Sequence, residues 1–135
     1  MNNQIIAIDF DGTIVEDRFP AIGKPMPFAL ETLKMLENDG YRLILWTYRH
    51  GSKLEEAVEF LNKHGINLYA VNRSYPDEKS HPSDVSRKIH ADIFIDDRNY
   101  GGFPGWGVIY QKLSPQASPL PQSRKSIFSR LFKSR

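Results

Sequence analysis

Short apolar runs alternate with amphipathic stretches along most of the chain. The first run, Ile5-Ile6-Ala7-Ile8, leads straight into Asp9-Phe10-Asp11-Gly12-Thr13. It is short, rich in Ile and ends at a Gly, which predicts a buried parallel strand over 4–10. Pro20, Gly23, Pro25 and Pro27 predict loop over 14–27. Phe28, Leu30, Leu33 and Leu36 recur near the helical period and predict a helix over 27–38, stopped by Gly40. Residues 41–47, mostly apolar, predict a second strand. Ser52 and Glu55 have the spacing of a capping box, ahead of a helix over 53–63 that presents Leu54, Ala57, Val58 and Leu61 and ends at Gly65. A third strand is expected over 68–71, a polar loop over 72–82 and a short helix over 83–89. A fourth strand is expected over 91–97, and a Gly-rich loop at 101–107 leads to a fifth, Val108-Ile109-Tyr110. Strands alternating with helices imply βαβ units with right-handed crossovers, so the fold class expected is α/β with a five-stranded parallel sheet.

Composition narrows the class. The chain has 135 residues, 40% apolar and 25% charged, ordinary values for one globular domain with a real core. It has no cysteine, so disulfides, zinc-thiolate sites and thiol catalysis are excluded. No apolar run approaches membrane-spanning length and the N-terminus lacks a basic secretory region, so a cytoplasmic location is expected. The net charge of +2 hides an asymmetry: all 16 acidic residues lie at or before Asp97. Residues 124–135 carry Arg124, Lys125, Arg130, Lys133 and Arg135 and no acid, leaving 13 basic against 16 acidic residues in the rest. From Ser114 the composition turns to Ser, Pro and Gln, a linker signature. The division expected is a globular domain over 1–113 and a Ser/Pro-rich linker with a basic amphipathic tail, expected disordered, over 114–135.

The chemistry gathers at strand ends. The first strand ends at Asp9 and Asp11, the second at Thr47 and the fourth at Asp96 and Asp97. In a parallel sheet these ends point the same way, and ligands bind at that edge. Four carboxylates in one place repel each other unless cations join them, and hard oxygen ligands suit Mg²⁺. Gly12 lets the backbone turn tightly and approach a ligand. Asp96-Asp97 alone would read equally well as a solvated turn. None of the histidines, His50, His64, His81 and His90, has ligand spacing on a shared face. Arg98 adjoins the Asp pair and is placed to brace it, since a guanidinium pairs bidentately with a carboxylate. Tyr48 and Trp106 suit either a pocket wall or packing.

Residues 4–13 resemble motif I of the haloacid dehalogenase-like phosphohydrolase superfamily, an apolar strand followed by Asp-x-Asp-Gly-Thr. Leu43-Ile44-Leu45-Trp46-Thr47 is similar to its motif II, and Ile93-Phe94-Ile95-Asp96-Asp97 to its motif IV in the Asp-Asp form. The resemblance spans residues 4–110. It implies a Rossmannoid three-layer sandwich and Mg²⁺-dependent hydrolysis of a phosphomonoester. Asp9 is then the nucleophile that becomes an aspartyl-phosphate, and Asp11 the general acid and base. Mg²⁺ would be held by Asp9, the backbone carbonyl of Asp11 and a motif IV Asp, with Asp97 the direct ligand and Asp96 the alternative. Thr47 would donate to the phosphoryl group. Gly12, Thr13 and Arg49 are the expected substrate-binding residues. Lys88 is the motif III cation by its position before the fourth strand, with Lys79 as runner-up, against the plain reading of each as a surface lysine.

Only 33 residues separate Thr13 from Thr47, and a loop and a helix use them, so no cap domain fits. Within the resemblance, a capless site implies a large phosphorylated substrate or a homo-oligomer that covers it. The tail over 123–135 places Ile127, Phe128, Leu131 and Phe132 on one helical face, with basic residues on the other. That suits an anionic membrane surface or nucleic acid, against a disordered solubilising tail. Two rival functions stand beside the hydrolase: a receiver-like phospho-acceptor signalling domain, and a catalytically idle binding module targeted by the tail. A receiver would place its acceptor Asp after the third strand, where this chain has Val71-Asn72-Arg73.

Overall fold

A computed structural model of the chain describes residues 3–79 and 89–114. In chain order the elements are β1 (Ile5–Ile8), α1 (Ala29–Asn38), β2 (Arg42–Leu45), α2 (Gly51–Lys63), β3 (Ala70–Val71), β4 (Ile93–Ile95) and α3 (Trp106–Leu113). The strands form one parallel sheet in the order β3-β2-β1-β4. The fold is therefore α/β, with four strands and three helices among the described residues.

Alternation along the strands divides the core. Ile6, Ile8, Leu43, Leu45 and Ile95 point to one face, where they pack with Leu33 and Leu36 of α1, Ala57 and Leu61 of α2 and Trp106 of α3. Ala7, Ile44 and Ala70 point to the other and are also buried, among Ile5, Trp46, Tyr69, Ile89 and Ala91. Burial on both faces is why these strands read as continuous apolar runs. All three described helices sit on the first face, so the described residues form two layers, not three. The helix expected over 83–89 falls outside the described residues except for Ile89, which is coil packed on the second face. The linker and tail from 115 onward also lie outside them.

Both longer helices end in the same way. Gly40 (φ 99°) follows α1, and Tyr41 N–H returns to Leu36 O at 3.1 Å. Gly65 (φ 81°) follows α2, and Ile66 N–H returns to Leu61 O at 3.0 Å. These are Schellman closures, each sealed by a buried residue just past the glycine. At its start α2 departs from expectation. The chain passes from extended His50 straight into Gly51, and Leu54 N–H donates to His50 O. Ser52 therefore stands inside the first turn, and the expected capping box does not form.

The fifth strand is replaced by α3. Gly105 (φ 103°) turns the chain, and Trp106, Ile109, Tyr110 and Leu113 then face the core at helical spacing. Tyr110 Oη donates to Asp39 Oδ2 at 3.0 Å, and Tyr41 Oη donates to Leu113 O at 2.7 Å, tying α3 to the end of α1. Between β1 and β2 lie only a looped segment and α1. That segment is ordered by its own backbone: Glu16 N–H donates to Lys24 O at 2.7 Å and Met26 N–H to Ile14 O at 2.8 Å. No described helix is long and apolar enough to cross a membrane.

Candidate functional site

The register brings the strand ends level. Ile8 pairs with Leu45 on one side and Ile95 on the other, and Leu45 pairs with Val71. The chain runs outward from β1 through β2 to β3, then returns to place β4 on the other side of β1. That reversal is a topological switch point, where an open α/β sheet leaves a crevice beyond its carboxyl ends. The residues that continue β1 and β4 there are acidic.

Asp9, Asp96 and Asp97 each offer a carboxylate oxygen, and these oxygens all lie within 4.8 Å of one another. The Asp9 backbone is pinned by its N–H to Ile95 O at 3.0 Å. Burial pushes the Asp9 carboxyl up to about 7, and the Asp96 and Asp97 charges and a hydrogen bond with Asp97 push the same way, against the Phe10 backbone N–H. Three half-buried carboxylates close together form an all-oxygen donor set, which fits a hard divalent cation such as Mg²⁺. Among the described residues no histidine joins such a cluster.

Gly12 and Thr13 build this cluster. Gly12 has φ 87°, and a Cβ there would lie 2.6 Å from Asp97 Oδ2, so only glycine lets that carboxylate rest against the turn. Thr13 is fully buried. Its hydroxyl accepts from Asp97 N–H at 3.0 Å and donates to Asp97 Oδ1 at 3.2 Å, with Asp9 Oδ2 at 3.5 Å. Its carbonyl accepts from the Trp106 indole N–H at 2.8 Å. Thr13 thus braces the carboxylates from behind. Trp106, left open between pocket wall and packing, is a buried strut.

Asp11 stands apart from the three. Its two carboxylate oxygens each accept a 2.8 Å hydrogen bond from Arg49, one from Nε and one from Nη2. The Asp11 carboxylate holds the Arg49 guanidinium above its already high value. Arg49 is buried, and its other N–H groups reach the carbonyls of Pro20, Ala21 and Lys53. All of its N–H groups thus have protein acceptors, where a substrate contact was the expectation.

Thr47 Oγ1 accepts the Arg49 backbone N–H at 3.1 Å. Thr47 N–H donates to Asn72 Oδ1 at 2.8 Å, which fixes the loop after β2 to the end of β3. Sequence reasoning gave Asn72 no role. The signal is the residue type: Asn directly after a strand suits a turn, because Asn tolerates positive φ better than most residues, and its φ here is 53°. Lys88 lies outside the described residues, and Lys79 is exposed. Arg98 meets the Asp pair through its backbone, its N–H donating to Asp96 Oδ1 at 2.9 Å. Tyr48 is fully exposed.

No protein-family model matches the chain, and no curated protein matches it. A solved structure described as that of a conserved protein from Bacteroides thetaiotaomicron is similar to it, with 53% identity and a TM-score of 0.74, over 82% of this chain and 88% of that one. With so many identical residues across most of both molecules, the chain belongs to the same family as that conserved Bacteroides thetaiotaomicron protein.

Proposed function

We propose that the protein is a capless, Mg²⁺-dependent phosphomonoester hydrolase of the haloacid dehalogenase-like type. One observation carries this reading: Asp9, Asp96 and Asp97, from opposite ends of the domain sequence, converge within 4.8 Å at the switch point of the sheet. The Asp-x-Asp-Gly-Thr run around Asp9 and the Rossmann-like strand order support it. The cation would be held by Asp9, Asp97 or Asp96, and the Asp11 backbone carbonyl. When bound it supplies the positive charge that lets a carboxylate and a phosphate approach each other.

The chain's own groups then divide the reaction. An Asp9 oxygen attacks phosphorus, and the bond to the leaving oxygen breaks with its electron pair. Asp11, both of whose oxygens accept from Arg49, takes a proton from solvent on a remaining lone pair and passes it to that oxygen, producing the free alcohol and an aspartyl-phosphate on Asp9. Water next attacks phosphorus while Asp11 takes its proton, which releases inorganic phosphate and restores the Asp9 carboxylate. The Thr47 hydroxyl accepts from Arg49 N–H, so its own proton is available to a phosphoryl oxygen.

Hydrolysis of 4-nitrophenyl phosphate with and without Mg²⁺ tests this. Turnover is expected to require Mg²⁺ and to fall by about a thousandfold or more in Asp9→Asn. Equal turnover in the variant would show that the activity is not Asp9 chemistry. A stable aspartyl-phosphate without turnover would replace the hydrolase reading with the phospho-acceptor one.

A further inference from the structure

The guanidinium of Arg49 has five N–H donors, and all five have protein acceptors. Nε donates to Asp11 Oδ2 at 2.8 Å, and Nη2 donates to Asp11 Oδ1 at 2.8 Å and to Ala21 O at 2.9 Å. Nη1 donates to Pro20 O at 3.2 Å and to Lys53 O at 3.3 Å. The Phe10 and Phe19 ring centroids each lie 5.1 Å from Cζ. The side chain is 1% exposed. A saturated, stacked and buried guanidinium does not serve an incoming phosphate. It fixes what it grips, and what it grips by the two-pronged geometry that sets both position and plane is the Asp11 carboxylate.

We infer that Arg49 is the positioning residue for Asp11, locking its carboxylate to the 19–21 segment and to the first turn of α2, and that it does not bind the substrate phosphate. The inference rests on the reading of Asp11 as the proton-transfer group. Lysine has one point charge in place of a planar fork, so Arg49→Lys keeps the charge and loses the fixed geometry.

The test uses the full chain with Mg²⁺ and two substrates, 4-nitrophenyl phosphate and the phosphate of a simple aliphatic alcohol. The proteins are the wild type, Arg49→Lys, Arg49→Gln, Asp11→Asn and the Asp11→Asn/Arg49→Lys double variant. Arg49→Lys is expected to lower kcat by about tenfold or more and to leave KM within about twofold. The loss is expected to be larger for the aliphatic substrate, whose leaving oxygen needs a proton, than for the nitrophenolate. In the Asp11→Asn background the same substitution is expected to change kcat by less than about twofold, because residues acting as one unit are not additive.

A raised KM with kcat retained would make Arg49 a phosphate ligand and overturn the inference. A full loss on top of Asp11→Asn would do the same by showing a role independent of Asp11. So would loss of the circular dichroism signal in both Arg49 variants with Asp11→Asn still folded, since the role would then be scaffolding alone. A wild type without Mg²⁺-dependent turnover would instead sink the hydrolase reading, a result distinct from all of these.

Discussion

Asp9 concentrates the electrostatic cost of the site on one residue. Its folded-state value of about 7 stands above the ordinary 3.8. The folded protein therefore binds that proton more tightly than the unfolded chain does. Without a divalent cation, this contribution to stability is full below about pH 4 and is lost as pH rises through about pH 7. A cation answers the same charge, so the rise in Tm on adding Mg²⁺ should be small near pH 5 and large near pH 8, and Asp9→Asn should flatten both trends. A Tm gain from Mg²⁺ that is equal at the two pH values would contradict this account of the cluster. Asp9, Asp96 and Asp97 were legible in the sequence because each ends an apolar run, and a parallel sheet sends such ends to one edge. The grip of Arg49 on Asp11 was not legible. It spans 38 positions, and no local pattern states which oxygens a guanidinium will reach.

The elements were legible where one force dominated and misread where two competed. α1 and the body of α2 follow from apolar spacing and terminal glycines, and each ends where its glycine stands. Val108-Ile109-Tyr110 has strand-type residues but folds within α3, because the anchor is Trp106, and counting from it gives helical spacing. Tertiary packing of one indole outweighs the local preference of three residues. The anchor also reaches the site, since its N–H holds the Thr13 carbonyl while the Thr13 hydroxyl holds Asp97. Trp106→Phe keeps most of the ring packing but leaves that buried carbonyl without its partner. It is expected to cost about 1–3 kcal/mol of stability, measured by urea denaturation. An unchanged midpoint would show that α3 is held by packing alone. The capping box at Ser52 and Glu55 failed for a related reason: the chain reaches the helix through extended His50, two residues before the serine, so Ser52 is already the second helical residue.

At the scale of the molecule, sheet order decides where chemistry can occur. The return of the chain from β3 to β4 puts β4 beside β1, and only that neighbour relation joins the two acidic loops. The short connection between β1 and β2 holds a looped segment and α1 and carries no inserted domain. The central claim is that Asp9 takes a phosphoryl group at the sheet's carboxyl edge. The most direct measurement is to quench the protein with acid during turnover of 4-nitrophenyl phosphate and Mg²⁺, reduce it with borohydride and map its peptides by mass spectrometry. An acyl phosphate is reduced to an alcohol, so the account predicts the aspartate-to-homoserine mass change at Asp9 and nowhere else. The same change at another aspartate, or turnover with no modified peptide, would contradict it.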